Sequence, residues 1–276
     1  MRKRHLLVIM GMILLGTASI ASLALAQDAH TQHGAHAAAP TEKLFKAQLT
    51  VPDEIRQGQS FPLTIHIQDS KGKSVSVFDV FQEKLMHLIL VSDDLGFFSH
   101  LHPEHKGKGV FLIETSLPSA GRYTLFADYK PAGQQEQVSV LNASVKGAAK
   151  ASGMTDTGKT ETILEDLKVS VRFFPKAVKA NKEIILTFDV KQASDSSPAK
   201  GFLPYLGEKG HLVIIKKSES LTAKDYIHAH ALKEGEASEI QFAARFPEAG
   251  LYKLWCQFNH RGRILTADFW IQVDAE

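Results

Sequence analysis

Cysteine is nearly absent: the 276-residue chain has one, Cys256, which excludes an intrachain disulfide. Whatever domains it forms must hold together by burial alone. Methionine is scarce as well, and beyond the first dozen residues only Met86 and Met154 remain, which excludes a methionine-rich Cu⁺ carrier. Neither a G-x-S-x-G nor an H-E-x-x-H stands anywhere in the sequence, so the common nucleophile and zinc-hydrolase signatures are missing. Charge is balanced, with a formal net of +2. That gives no concentrated basic surface of the kind nucleic-acid binding requires.

Long apolar runs are confined to the start. "MRKRHLLVIMGMILLGTASIASLALAQ" has a basic opening, an apolar centre and Ala24-Leu25-Ala26 as a small-residue cleavage site. It predicts a signal peptide over 1–26, cut before Gln27, and hence a periplasmic or secreted protein; left uncleaved, the same stretch could span a bilayer. Loss of Arg2, Lys3 and Arg4 brings the chain close to neutral.

What is present is a repeat. Residues 27–42 are small and polar with His30, His33 and His36 among them, a composition that predicts a disordered segment able to bind metal loosely. A low-complexity linker is expected over 147–162. The segments on either side, 43–146 and 163–276, align with each other. "PSAGRYTLFADYKPAG" from Pro118 matches "PEAGLYKLWCQFNHRG" from Pro247, and "FPLTIHIQ" from Phe61 matches "IILTFDVK" from Ile184. Both of the latter alternate apolar and polar positions as half-buried strands do. With about seven short strands per copy and turn residues at short intervals, the pattern predicts an all-β chain of two tandem antiparallel β-sandwiches, immunoglobulin-like or cupredoxin-like.

Histidine supplies the candidate chemistry. In the first copy His87 opens an apolar strand and His100 and His102 form an H-x-H pair; in the second copy the equivalents are His211, His228 and His230. Side chains two apart on a strand share a face, with Cα atoms about 6.6 Å apart, so each pair can lean onto one ion. Three imidazoles converging within one sandwich suit Cu²⁺ or Zn²⁺. Asp128 on the following aromatic strand is a candidate carboxylate ligand, with Gln257 at the matching place in the second copy. The competing account makes these histidines structural, hydrogen-bonded to main chain. His66 and His105 are expected at the surface. Cys256 and His260 have the outline of a blue-copper loop, but no methionine follows and the first copy has Ala127 and Pro131 there. Alternation instead puts Cys256 among buried apolar residues.

The string "MHLILVSDDLGFFSHLHPE" (86–104) followed by "LPSAGRYTLFADY" (117–129) resembles secreted bacterial proteins marked by an H-L-x-x-V-S-x-D-L-x-x-F-x-H-x-H-P motif, similar in outline to CopC-like and YtkA-like periplasmic sandwiches. The resemblance implies an exported β-sandwich tied to metal handling, with His87, His100 and His102 on the motif positions. The second copy departs from it, with Ala231 in place of the proline. Together these readings predict a non-enzymatic protein that binds copper or zinc for buffering, delivery or resistance, partnered by an envelope metal-transport protein. Binding by neutral imidazoles should weaken as pH falls through the histidine range near 6.5. The alternative is an envelope interaction or scaffold protein whose histidines serve only the fold.

Overall fold

The computed structural model describes residues 44–147, 156–233 and 237–276. The expected signal peptide, the histidine-containing segment and most of the linker lie outside the described residues. Among those described, no helix is long and apolar enough to cross a membrane.

The chain is two tandem antiparallel β-sandwiches. The first runs through β1 (Phe45–Thr50), β2 (Ser60–Asp69), β3 (Met86–Ser92), β4 (Phe98–Leu101), β5 (Glu104–Gly107), β6 (Val110–Ser116), β7 (Gly121–Tyr129) and β8 (Gln137–Val145). Its two sheets have the orders β1-β2-β6-β5 and β4-β3-β7-β8. The second runs through β9 (Glu161–Leu164), β10 (Leu167–Phe174), β11 (Glu183–Gln192), β12 (Phe202–Leu203), β13 (His211–Lys216), β14 (Tyr226–His230), β15 (Glu239–Arg245), β16 (Gly250–His260) and β17 (Arg263–Val273). Here β15-β11-β10-β9 form one sheet, and β14, β13, β16 and β17 form the other with short β12 beside β16.

The first sandwich has the A-B-E-D and C′-C-F-G strand orders of immunoglobulin-like domains. Both repeats also carry the tyrosine corner of that architecture. Near the start of β7, Tyr123 Oη donates to the Ser119 carbonyl at 2.8 Å, and near the start of β16, Tyr252 Oη donates to the Glu248 carbonyl at 2.8 Å. Each bond gives a buried phenol its partner and pins the chain as it enters the strand. Tyr123→Phe or Tyr252→Phe should therefore lower stability by about 1 kcal/mol each, read from the urea midpoint.

Alternation decides what each strand buries. On β2, Phe61, Leu63, Ile65 and Ile67 point into the first core, and on β11, Ile184, Leu186, Phe188 and Val190 point into the second. The strands β3 and β13 differ, being buried on both faces. Met86, Leu88 and Leu90 fill the first sandwich, and Leu212 and Ile214 the second. The opposite faces join a third apolar layer of Ile89, Val91, Leu95 and Phe126 from one repeat with Val213, Ile215, Tyr226 and Trp255 from the other.

This third layer lies between the two repeats and is built with approximate twofold symmetry. Phe98 stacks on Trp255 with ring centroids 4.8 Å apart, and the equivalent pair, Tyr226 on Phe126, also stacks at 4.8 Å. Each repeat thus offers the same patch to the other, as the protomers of an isologous dimer do.

Two surface expectations change. His66 is half-buried with its Nε2 on Ser74 Oγ at 2.8 Å. His105 is half-buried too, its ring 5.3 Å from that of Phe78 and 4.8 Å from that of Phe111. Their strands face loops and rings that the alternation pattern alone does not reveal.

Candidate metal centre between the repeats

The residues that build the third layer are followed, at the same end of it, by polar ones. Ile89 and Val91 on β3 have His87 two residues before them; Val213 and Ile215 on β13 have His211. Phe98 on β4 leads to His100, and Tyr226 on β14 leads to His228. Phe126 on β7 leads to Asp128, and Trp255 on β16 leads to Gln257. Register agrees, since His87 pairs with Asp128 across β3 and β7, and His211 with Gln257 across β13 and β16. Pleating alone then delivers imidazoles from both repeats to one end of their shared layer.

His87, His100 and His102 of the first repeat converge on one another, and they do so at the end of the layer it shares with the second. One nitrogen from each lies within 4.8 Å of the others. It is the only such group of three or more histidine, cysteine or acidic ligand atoms among the described residues. Two second-copy histidines stand beside this group, the rings of His211 and His228 lying 6.4 and 5.4 Å from that of His87. His230 pairs with His211 in the β13–β14 ladder.

Hydrogen bonds assign the nitrogens. His87 Nε2 donates to the Phe81 carbonyl at 3.2 Å, and its repeat-mate His211 Nε2 donates to the Tyr205 carbonyl at 3.0 Å. Both acceptors sit on matching two-residue turns, Phe81–Lys84 and Tyr205–Glu208, whose central residues have positive φ. His100 Nδ1 donates to Gln257 Oε1 of the other repeat at 2.7 Å, while the Gln257 amide donates to Thr266 Oγ1. The symmetric contact runs the other way, His228 Nδ1 lying 3.3 Å from Asp128 Oδ2 with Tyr226 Oη on the same oxygen at 3.4 Å.

His87 Nδ1 and His100 Nε2 face each other at 3.0 Å, where one ring donates to the other or both offer lone pairs to a cation, according to tautomer. His102 Nε2 is buried without a hydrogen-bond partner among the described residues. Burial disfavours a proton on any of the three. Burial, then His100 and His102, press His87 down to about 2; burial and His102, opposed by Gln257, hold His100 at about 3; burial, Lys84 and His211 hold His102 at about 4. Neutral imidazoles with oriented lone pairs are what a transition-metal ion needs.

Asp128 does not enter the group of converging ligand atoms. Burial, with the Glu136 carboxyl beside it, raises its pKa well above the usual carboxylate range, and its place is against His228 rather than in the centre. Gln257 and the carbonyls of Phe81 and Tyr205 went unassigned from sequence as orienting groups. The signal for Gln257 was its alignment with Asp128. Cys256 is fully buried in the second core with its thiol pushed up by burial, and His260 Nε2 donates to the Lys200 carbonyl at 3.0 Å. The pair forms no centre with a third ligand among the described residues.

No curated protein matches the sequence. Solved structures match at low similarity: Salmonella alpha-2-macroglobulin at 14% identity and a TM-score of 0.29 over 86% of this chain and 15% of that one, and a two-domain fibronectin type III segment of chicken tenascin at 10% identity and 0.26 over 83% and 99%. Invasin, a bacterial integrin-binding protein, matches at 9% identity and 0.25 over 84% and 40%. The chain thus spans well under half of the alpha-2-macroglobulin and invasin chains. A domain family matches twice, over residues 42–146 and 162–275, once for each sandwich, and the chain belongs to that family, described as domain of unknown function DUF8832.

Proposed function

We propose that the protein binds a divalent transition-metal ion, copper before zinc, through His87, His100 and His102, and serves outside the cytoplasm as a non-enzymatic buffer, delivery or resistance module. The convergence of one nitrogen each from His87, His100 and His102, all within 4.8 Å of one another, carries this reading. Two nitrogens on a tetrahedral ion at about 2.0–2.1 Å stand about 3.3 Å apart, so a bound ion would need little movement of His87 Nδ1 and His100 Nε2. The donor set is all imidazole, without thiolate or thioether, which favours Cu²⁺ or Zn²⁺ over Cu⁺, and over Mg²⁺ and Ca²⁺, whose preference is oxygen.

Elemental analysis of a chain lacking residues 27–40 and any affinity tag tests it. About one ion should remain per chain after loading and desalting, and a folded His100→Ala/His102→Ala variant should retain none. Zero occupancy of the unaltered chain after loading would leave the second reading, a scaffold that presents its outer surfaces to an envelope partner. The apolar third layer favours that reading to this extent: its two aromatic stacks can hold the repeats together without an ion.

A further inference from the structure

The histidine group of the first repeat is tied to the second repeat through Gln257. Phe98 and His100 are two apart on β4, and Trp255 and Gln257 are two apart on β16. The stack of Phe98 on Trp255 and the hydrogen bond of His100 to Gln257 are therefore consecutive rungs of one seam. The docking that buries the indole also sets the amide against the imidazole. Gln257 is 7% exposed and pairs with Thr266 in the β16–β17 ladder, so its position is fixed from within the second repeat.

The amide has two ends and both are engaged. Its Nε2 donates to Thr266 Oγ1 at 3.2 Å, which turns Oε1 toward His100 Nδ1 at 2.7 Å. An amide oxygen only accepts, so the proton of the neutral His100 ring stands on Nδ1 and the lone pair on Nε2, the atom facing His87 Nδ1 at 3.0 Å. Turned over, the amide would present its N–H groups to Nδ1, and the ring proton would move to Nε2, where it blocks ligation. Thr266, without reaching the ring itself, thus selects the nitrogen that His100 can offer an ion.

We propose that Gln257 is a positioning residue through which the second repeat sets the metal affinity of the first, holding His100 in the tautomer whose Nε2 can ligate. This rests on the reading of His87, His100 and His102 as a metal site. Partners behind a ligating imidazole fix its tautomer and orientation, and their loss typically weakens metal about 10–100-fold. Because this partner is in place only while the repeats are docked, docking and ion binding strengthen each other by the same factor.

The test uses the full chain and has two readouts, of which the first needs no metal. Imidazole ¹H–¹⁵N correlation spectra of the metal-free chain should place the His100 proton on Nδ1, the signal being assigned by its loss in His100→Gln. Gln257→Met keeps the length of the side chain without its polar atoms, and Thr266→Val leaves Gln257 in place without the hydroxyl that turns it. Each should move the proton toward Nε2 and weaken Zn²⁺, measured by calorimetric titration, about tenfold or more. Gln257→Glu retains an acceptor oxygen and should restore both the tautomer and the affinity. A His100 proton on Nε2 in the unaltered chain, or unchanged tautomer and unchanged Zn²⁺ affinity in Gln257→Met and Thr266→Val, overturns the positioning role. Zn²⁺ failing to bind an unaltered chain whose His100 proton is on Nδ1 overturns the metal reading instead, with the orienting contact intact.

Discussion

Trp255→Ala should cost about 3–5 kcal/mol and divide one cooperative thermal transition into two. The indole is almost wholly buried, yet it contributes to neither sandwich core, lying in the layer between the repeats and stacked on Phe98. Its loss leaves a cavity with a sandwich wall on either side, and neither wall can collapse without disturbing its own core. Because the damage falls between the folding units, each sandwich should still melt as a unit, but no longer with the other. Phe126→Ala, which removes the symmetric stack on Tyr226, should do the same. Differential scanning calorimetry of the metal-free protein is the readout. Leu203→Ala, at a position 47% exposed, is the control and should stay within about 0.5 kcal/mol of the unaltered chain. A single transition shifted only slightly by Trp255→Ala would mean that the layer carries no cooperativity.

Acidification should release the ion only well below the ordinary histidine range. Exposed histidines lose metal as pH falls through about 6.5, and the sequence alone predicts that midpoint. Burial shifts it: the apo rings of His102, His100 and His87 protonate at about 4, 3 and 2, so protons do not compete for these nitrogens until near pH 4. Affinity measured from pH 8 downward should therefore stay level past 6.5 and collapse near 4. A midpoint near 6.5 would contradict the buried cluster. Stability follows a related rule with a different window. The folded values lie below the unfolded one, so the unfolded chain binds more protons as soon as pH drops below about 6.5. The stability that neutral burial contributes is complete above that pH and is lost progressively as pH falls through the folded values. The metal-free fold should weaken between pH 6 and 4, while a loaded chain resists.

The sandwiches were legible in the sequence because half-buried strands write themselves as alternation. Phe61, Leu63, Ile65 and Ile67 on β2 are the plainest case. The histidines were legible as a set because the repeat placed His87 with His211 and His100 with His228. The approach of His211 and His228 to the first-copy histidines was not. "HLILV" and "HLVII" read as strands apolar on both faces, and periodicity cannot distinguish a second face buried in the same domain from one buried against a neighbour. Only the pairing of repeat with repeat shows that Ile89 and Val213 lie in a common layer, which carries His87 and His228 to one place. For the same reason Asp128 read as a ligand of its own copy, whereas it stands behind a histidine of the other. Gln257 was visible only as the residue that replaces Asp128, and its bond to His100 depends on a docking geometry that no local pattern encodes.

If a metal ion binds this protein, imidazoles from His87, His100 and His102 close on it. Crystals of the Zn²⁺-loaded chain lacking residues 27–40, measured on both sides of the zinc absorption edge, address this directly. One anomalous peak should appear enclosed by those rings, with nitrogens at about 2.0–2.1 Å. A peak elsewhere, or loaded crystals in which His87 Nδ1 and His100 Nε2 still face each other with no ion between them, would contradict this.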